Sequence, residues 1–190
     1  METSPKKERF FTYADYKDWE LKEGERYEII YGEAYAMAAP SERHQMILGE
    51  LYTQFQVFLR GKPCKAIPAP YDVRLFYEED DSDDTVVQPD ISIICDKKKR
   101  GQEGCRGAPD MVIEILSPSN YAIEMDRKFA LYQKAGVKEY WIVNPENKRL
   151  TVFCFGKNPV YKIYNGKDIV PANILPGLEI NLEQVFDNEQ

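Results

Sequence analysis

Two acidic residues stand at positions where an ionised side chain is costly. Asp90 follows Gln88-Pro89 at the entry of the apolar run DISIIC, and Glu114 is central in the apolar run MVIEIL. A carboxylate in a buried strand is strongly disfavoured unless a cation or hydrogen bonds match it. If the two runs are neighbouring strands joined by the turn at residues 97–110, both side chains converge at one edge of the sheet. Two such oxygen ligands, with a backbone carbonyl and waters, suit Mg²⁺ or Mn²⁺.

Each acid also has a purely structural interpretation. Glu114 could instead be a carboxylate at the sheet edge that Arg74, Arg127 or Lys128 neutralises. Asp90 is equally explained as a turn residue that accepts hydrogen bonds from backbone N–H groups after a proline. The pair taken together favours the metal site.

Three further residues are candidates for a role beside these acids. Lys128 lies four residues before Tyr132, on one face of a predicted helix, and can reach the carboxylates to position water or offset phosphate charge. The alternative is an ordinary solvated lysine. His44 suits general acid–base chemistry or a helix N-terminus, and Glu33 suits an additional metal ligand or a solvated charge.

The surrounding pattern predicts a mixed α/β fold. RYEIIYGEAYAMA predicts a hairpin turning at Tyr31-Gly32, and apolar residues at helical spacing predict a helix over 42–59 after the N-cap Ser41. Strands are expected over 64–67 continuing to 71–76, over 86–95, in MVIEIL and in EYWIVNP. A second helix, capped by Ser119 or Asn120 and reaching about Ala135, joins the last two strands, which should therefore be parallel. RLTVFCF and VYKIY predict a C-terminal hairpin.

Two acidic features receive structural predictions. The loop EEDDSDD at residues 78–84 is expected to be mobile, to lie near the active edge and to move when substrate binds. Asp72 alternates with apolar neighbours in YDVRLF, which favours a solvent-facing strand position.

Length and composition indicate one domain over residues 1–190, with 43% hydrophobic and 13% aromatic residues. METSPKKERFFTYADY has no apolar signal-peptide core, so we expect a cytoplasmic protein. The four cysteines form no CxxC pair and are expected to be reduced thiols. The net charge of −7 counts against a nucleic-acid partner, although a bound cation reverses the local sign. No P-loop, dinucleotide, serine-hydrolase or zincin motif is present.

Four phrases together resemble the Uma-two-type restriction endonuclease-like family of the PD-(D/E)XK nuclease superfamily. They are RYEIIYGEAYAMAAPSERHQ, VVQPDISIICD, GAPDMVIEILSPSN and KFALYQKAGVKEYWIVNP, and they extend over roughly residues 10–155. The resemblance implies a restriction endonuclease-like fold, a mixed sheet between helices with a divalent metal at the carboxylate edge. Pro89-Asp90 matches the PD of the superfamily and Glu114 its next acidic position. Leu116 replaces the usual lysine, and Lys128 on the following helix matches the position to which this family moves it.

These observations predict an endonuclease that uses Mg²⁺ or Mn²⁺ to hydrolyse phosphodiester bonds in DNA. Asp90 and Glu114 would bind the metal and Lys128 would assist the attacking water or the scissile phosphate. A homodimer is compatible with paired cleavage of two strands. Two alternatives stay open: a catalytically idle module that binds nucleic acid or protein, and a hydrolase of small phosphodiesters, which suits the acidic charge better.

Overall fold

The computed structural model describes residues 9–117 and 121–187, and for residues 121–126 the backbone alone. The helices are α1 (Tyr13–Tyr16), α2 (Glu42–Leu59), α3 (Tyr121–Ala135) and α4 (Leu182–Phe186). The strands are β1 (Tyr27–Ile30), β2 (Glu33–Ala36), β3 (Lys65–Pro68), β4 (Val73–Arg74), β5 (Val86–Val87), β6 (Ile91–Ile94), β7 (Arg100–Gly101), β8 (Gly104–Arg106), β9 (Met111–Ile115), β10 (Glu139–Asn144), β11 (Arg149–Cys154), β12 (Val160–Asn165), β13 (Ile169–Pro171) and β14 (Glu179–Asn181).

The strands form two six-stranded sheets and a short ribbon among the described residues. The main sheet has the order β12-β11-β10-β9-β6-β3, and the second sheet has the order β2-β1-β5-β4-β8-β7. In the main sheet β9 and β10 are parallel, as the intervening helix predicted, and the other neighbouring pairs are antiparallel. The structure is thus the mixed α/β fold predicted, but a second sheet stands where one sheet was expected.

Side-chain alternation along the main sheet divides the core in two. Ile113 and Ile115 of β9 share a buried cluster with Leu51 and Phe55 of α2. Val112 of β9 instead belongs to a cluster that α3 and the second sheet complete. Because successive side chains of a strand point to opposite faces, Glu114 lies on the side of α3 and the second sheet.

The predicted hairpin and helices are present, for the physical reasons the sequence indicated. Tyr31 and Gly32 both have positive φ, 51° and 79°, which suits a two-residue turn between β1 and β2. Helix α2 begins after Ser41, whose side chain accepts a hydrogen bond from the backbone N–H of His44. Gly136 follows α3 with φ 89°, the left-handed conformation that ends helices. The predicted caps Ser119 and Asn120 lie outside the described residues.

The prediction of one continuous strand over residues 86–95 is wrong. This segment divides into β5, in the second sheet, and β6, in the main sheet, with Gln88, Pro89 and Asp90 between them. Pro89 has no N–H for a ladder and therefore marks a natural break between pairings. As a result, Asp90 stands at the point where the chain passes from one sheet to the other. The strand expected from 64 to 76 divides in the same way into β3 and β4.

The expectation of a mobile acidic loop is also wrong. Asp83 is buried and bound by Arg74, whose Nε donates to it at 2.9 Å. The same guanidinium donates to the Glu78 carbonyl oxygen at 2.8 Å and pairs with Asp81 at 2.8 Å. A buried arginine with several charge-assisted bonds fixes the backbone around it, so residues 78–84 are held by the second sheet.

Two further expectations need correction. Cys64 and Cys95 form a disulfide, because the register that pairs Lys65 with Ile94 brings the adjoining residues of neighbouring strands opposite each other. The thiols of Cys105 and Cys154 are free. Asp72 is half-buried instead of solvent-facing, and it accepts hydrogen bonds from Tyr16 and Gln88.

Candidate active site

The register of β6 and β9 sets the two predicted acids side by side. Ile91 pairs with Ile113, so one residue outward the same register brings Asp90 to the level of Glu114. Asp90 Oδ2 accepts a hydrogen bond from the backbone N–H of Ile115 at 2.7 Å. That bond ties the Asp90 carboxylate to the end of β9 and keeps it beside the Glu114 strand.

Glu114 lies in a buried cluster of hydrogen bonds. Its Oε1 accepts from Lys128 Nζ at 3.1 Å and from the Tyr132 hydroxyl at 2.5 Å, both from α3. Lys128 is 5% exposed, so it is not the solvated lysine of the alternative interpretation. Lys128 is thus the basic residue that neutralises Glu114 in the structural interpretation. That interpretation is compatible with a metal site beside Glu114.

A third acid, Glu28 of β1, completes this cluster and was not predicted. Glu28 is 4% exposed, and its Oε1 accepts from Lys128 Nζ at 3.0 Å and from the backbone N–H of Gln88 at 2.9 Å. Its neighbours Ile29 and Ile30 are also buried. The burial argument that singled out Glu114 in its apolar run applies equally to Glu28 in YEII.

Helix α2 adds His44 to the site. His44 lies in the first turn of α2, and its Nε2 is 3.2 Å from Asp90 Oδ2. The other ring nitrogen, Nδ1, is buried and has no hydrogen-bond partner among the described residues. His44 can therefore orient the Asp90 carboxylate. Glu33, the other accessory candidate, is exposed, and the Tyr35 hydroxyl donates to it. Glu33 is not among the described residues that line the cleft.

Burial and mutual repulsion shift the titration of these groups. Burial raises the pKa of Glu114 to about 8, Lys128 opposes that shift, and the charges of Asp90 and Glu28 add to it. Burial lowers the pKa of His44, but the hydrogen bond and charge of Asp90 outweigh it and the net shift is upward. Burial and the charge of Glu114 raise the pKa of Tyr132 well above its ordinary value. The cluster therefore holds more carboxylates than its one buried lysine neutralises, which is the electrostatic setting that attracts a cation.

Five of these groups line one cleft of about 570 Å³. They are Glu28, His44, Asp90, Glu114 and Lys128. Residues 35–40, from the end of β2 onward, also line the cleft, as do Pro70 and Ser117. The acidic loop at residues 78–84 does not contribute to the described lining, contrary to expectation.

The donor chemistry of the cleft fits a hard divalent cation. Asp90 Oδ1 and Glu114 Oε2 accept no hydrogen bond from the described residues, so each carboxylate keeps an oxygen for a ligand. No group of three or more His, Cys, Asp or Glu side chains in the described part of the chain is spaced to hold a metal by itself. Mg²⁺ commonly binds through one or two carboxylates and keeps several waters, so two acids are sufficient.

A mixed sheet whose adjacent strands present two carboxylates, with a lysine from the neighbouring helix, defines a restriction endonuclease-like protein. A family comparison agrees: residues 13–183 match the Uma2 model, described as "Putative restriction endonuclease". The chain belongs to that family, and its function is accordingly nuclease-like.

Two further proteins are similar to the chain. The chain is 27% identical over 140 residues to the uncharacterized protein slr1290 of Synechocystis sp. (strain ATCC 27184 / PCC 6803 / Kazusa), covering 73% of this chain and 71% of that protein. The fold of the present chain is similar to that of a "putative nuclease belonging to DUF820" from Anabaena variabilis ATCC 29413, known from its crystal structure. That comparison has a TM-score of 0.73 at 19% identity and covers 93% of this chain and 98% of the other. No helix among the described residues is long and apolar enough to cross a membrane.

Proposed function

We propose that the chain is an endonuclease that requires Mg²⁺ or Mn²⁺ and hydrolyses phosphodiester bonds in DNA. The observation that carries this proposal is the meeting of Asp90, Glu114 and Lys128 in one cleft, with one oxygen of each carboxylate not engaged by the described residues. Family membership supports the nuclease class. The metal requirement, the DNA substrate and the residue roles go beyond family membership and are our proposal.

Each residue has a definite task in this proposal. Asp90 and Glu114 would hold the cation, and Asp90 is oriented for this by His44 and by the backbone N–H of Ile115. A divalent cation in such a site supplies charge stabilisation at the phosphoryl oxygen and a more acidic bound water. Lys128, fixed between Glu28 and Glu114, offers a preorganised positive charge that offsets the charge developing on the phosphate.

Nicking of supercoiled plasmid in Mg²⁺ or Mn²⁺ tests the proposal. The wild-type chain should convert plasmid to open-circular and linear forms, and EDTA should stop the reaction. Asp90→Ala should be inactive, while the exposed control Glu20→Ala should cleave normally. Absence of cleavage by wild-type protein over a range of DNA substrates, with both metals, would overturn the proposal.

The net charge of −7 favours a second candidate, a hydrolase of small phosphodiesters, because few positive charges are available to attract a polyanion. Hydrolysis of bis-p-nitrophenyl phosphate without plasmid cleavage would select it. If neither substrate is hydrolysed and metal ions produce no thermal stabilisation, the chain is an idle binding module, since a ligand of the native state must raise its stability.

A further inference from the structure

Helix α2 has one side that is exposed to solvent along its whole length. The opposite side holds the buried residues of the helix, Ile47, Leu51, Phe55 and Leu59. Exposed residues recur every three or four positions, the spacing of one helix face. They are Glu42, Met46, Gly49, Thr53 and Val57, followed by Arg60 directly after the helix. We call this series the outer face of α2. It contains two large apolar side chains, since Met46 is 43% exposed and Val57 is 63% exposed.

A hollow of about 460 Å³ lies on this side of the helix, around Gly49. Its described lining comes from α2 alone: Glu42, Gln45, Met46, Gly49, Glu50 and Thr53. Glycine is among the poorest helix formers, and nothing else in the fold requires it here, because a Cβ built on Gly49 would meet nothing within 4 Å. The Thr53 hydroxyl donates to the Gly49 carbonyl oxygen at 2.8 Å, so the polar group beside the hollow is satisfied. A second helix that approaches closely would give Gly49 a packing role.

The outer face is self-complementary about its midpoint, Leu51. Residues at nearly equal distances on either side of Leu51 match in size, apolar character or charge. The pairs are Gly49 with Thr53, Met46 with Val57, and Glu42 with Arg60. In a pair of identical helices related by a twofold axis, residue i contacts residue j of the partner and j contacts i. An antiparallel pair of α2 helices would therefore set the partner's Thr53 into the hollow at Gly49 and the partner's Val57 against Met46.

Glu42 and Arg60 supply the charge complementarity of this arrangement. Both are exposed, and neither forms an ion pair with another residue in the described part of the chain. They stand at opposite ends of a helix about 27 Å long, so they cannot reach each other within one copy. In the antiparallel pair each meets its opposite charge in the partner. A parallel pair would instead bring like charges together at both ends.

We propose that the outer face of α2 is the interface of a homodimer, in which the two α2 helices pack antiparallel about a twofold axis near Leu51. The cleft residue His44 is not part of the outer face, so dimerisation leaves the contact of His44 with Asp90 intact. A face about 27 Å long and about 10 Å wide lies at the low end of specific interfaces. The dimer should therefore be reversible, with a dissociation constant on the order of micromolar.

Sedimentation velocity of the full chain tests the interface without any cleavage. From about 1 to about 500 µM the chain should pass from monomer to dimer. Gly49→Leu should weaken the dimer at least about tenfold, because the side chain fills the hollow that the partner's Thr53 enters. The melting temperature of the dilute, monomeric Gly49→Leu variant should not fall, since leucine occupies open space and is the better helix former. The exposed control Glu20→Arg should dimerise normally.

Charge reversal tests the antiparallel arrangement. At low salt, Glu42→Arg alone and Arg60→Glu alone should each weaken the dimer about fivefold or more, because each reverses two ion pairs per interface. An equimolar mixture of the two variants should recover the affinity, since the heterodimer restores an opposite-charge pair at both ends. The double variant Glu42→Arg/Arg60→Glu should recover it as well.

Three outcomes would overturn the proposal. A chain that stays monomeric over the whole concentration range would leave the outer face to a different partner. A dimer that Gly49→Leu does not weaken would use another surface. A mixture of the two charge variants that associates no better than either variant alone would exclude the antiparallel pair.

Discussion

Lys128 stands between two acids, which fix the position of its ammonium group. Its Nζ lies 3.0 Å from Glu28 and 3.1 Å from Glu114, and the side chain is buried. A lysine held in this way keeps its charge at a fixed position, which is what a developing phosphate charge requires. Leu116, directly after β9, stands where the superfamily pattern has a lysine, so in the proposed mechanism Lys128 of α3 would supply the charge instead.

Replacing Lys128 should therefore remove most turnover. We expect Lys128→Met to reduce the cleavage rate by about 10²–10³, the usual loss when one charge is removed from a preorganised site. Metal binding, measured by Mn²⁺-dependent thermal shift, should persist. Lys134→Met is the control, because Lys134 is exposed on the same helix. Near-normal cleavage by Lys128→Met, or an equal loss in both variants, would contradict the assigned role.

The surroundings of Glu114 make its ionised form costly in the metal-free protein. Glu28 and Asp90 both raise the pKa of Glu114 in the metal-free protein, after the larger effect of burial. Because its pKa is raised to about 8, Glu114 must take up a proton when the chain folds at pH 7. A glutamine is neutral in both states and can still accept from Lys128 and Tyr132, so we expect Glu114→Gln to raise the metal-free unfolding free energy by about 1 kcal/mol.

The same substitution should abolish the Mn²⁺-induced rise in melting temperature, because a carboxylate ligand is lost. Chemical denaturation with and without Mn²⁺ measures both effects. A lower stability combined with an unchanged metal response would show that Glu114 has only the structural task of neutralising Lys128.

Most of the helices and strands that surround the cleft could be predicted from local sequence patterns. Helix α2, the first hairpin and the parallel pair β9–β10 follow from local signals that agree with the packing: a cap, a two-residue turn and a crossover helix. Asp90 and Glu114 were identifiable because each is surrounded by apolar residues. The lysine was identifiable by its spacing from Tyr132.

The parts that local patterns did not reveal depend on pairings distant in sequence. Glu28 meets Lys128 across 100 residues, and nothing in YEII indicates that partner. The Cys64–Cys95 bond likewise requires the β3–β6 register. The acidic loop appeared mobile because Arg74, the residue that binds it, lies in a different strand-like run. Local composition cannot encode such contacts, since each requires the fold to be formed first.

Asp110 illustrates how one side chain connects elements, and it permits a prediction about pH. Its Oδ2 accepts from the backbone N–H of Cys95 at 2.8 Å, next to β6, and its Oδ1 pairs with Lys138 at 2.6 Å, next to β10. Burial raises the pKa of Asp110, but the Lys138 and Cys95 hydrogen bonds outweigh it and lower the pKa overall. The ionised form therefore stabilises the fold above the unfolded pKa of about 3.9.

That stabilisation should be lost as pH falls through the lower pKa of the folded state. Asp110→Asn should reduce the unfolding free energy at pH 7 by about 1 kcal/mol, a modest value because Lys138 is largely exposed. The difference from wild type should shrink toward zero once the pH is below the lowered pKa of Asp110 in the folded state. Urea denaturation at several pH values measures this, with the exposed Glu20→Gln as control. A difference that is constant with pH would attribute the effect to packing and not to charge.

For the whole molecule, the question is how a chain of net charge −7 would hold a polyanion. The sequence has 25 basic and 32 acidic residues, and Glu28, Asp90 and Glu114 lie in the cleft itself. Counterion release from Lys and Arg contacts normally supplies most of the affinity for DNA. In the proposed function, the acidic cleft would repel phosphate until a bound cation changed its sign.

DNA binding should therefore depend on a divalent cation. We expect a fluorescently labelled duplex to bind at least about tenfold more tightly in Ca²⁺, used to limit turnover, than in EDTA at the same ionic strength. Fluorescence anisotropy measures both. Asp90→Asn should lose the Ca²⁺-dependent gain because it removes one of the two proposed metal ligands, whereas Asp110→Asn should keep it. Tight binding in EDTA with a steep salt dependence would instead reveal a basic DNA-binding surface separate from the cleft. Equal, weak binding in both conditions would contradict DNA as the substrate, because a site that neither attracts phosphate alone nor gains from its cation cannot hold the strand for cleavage.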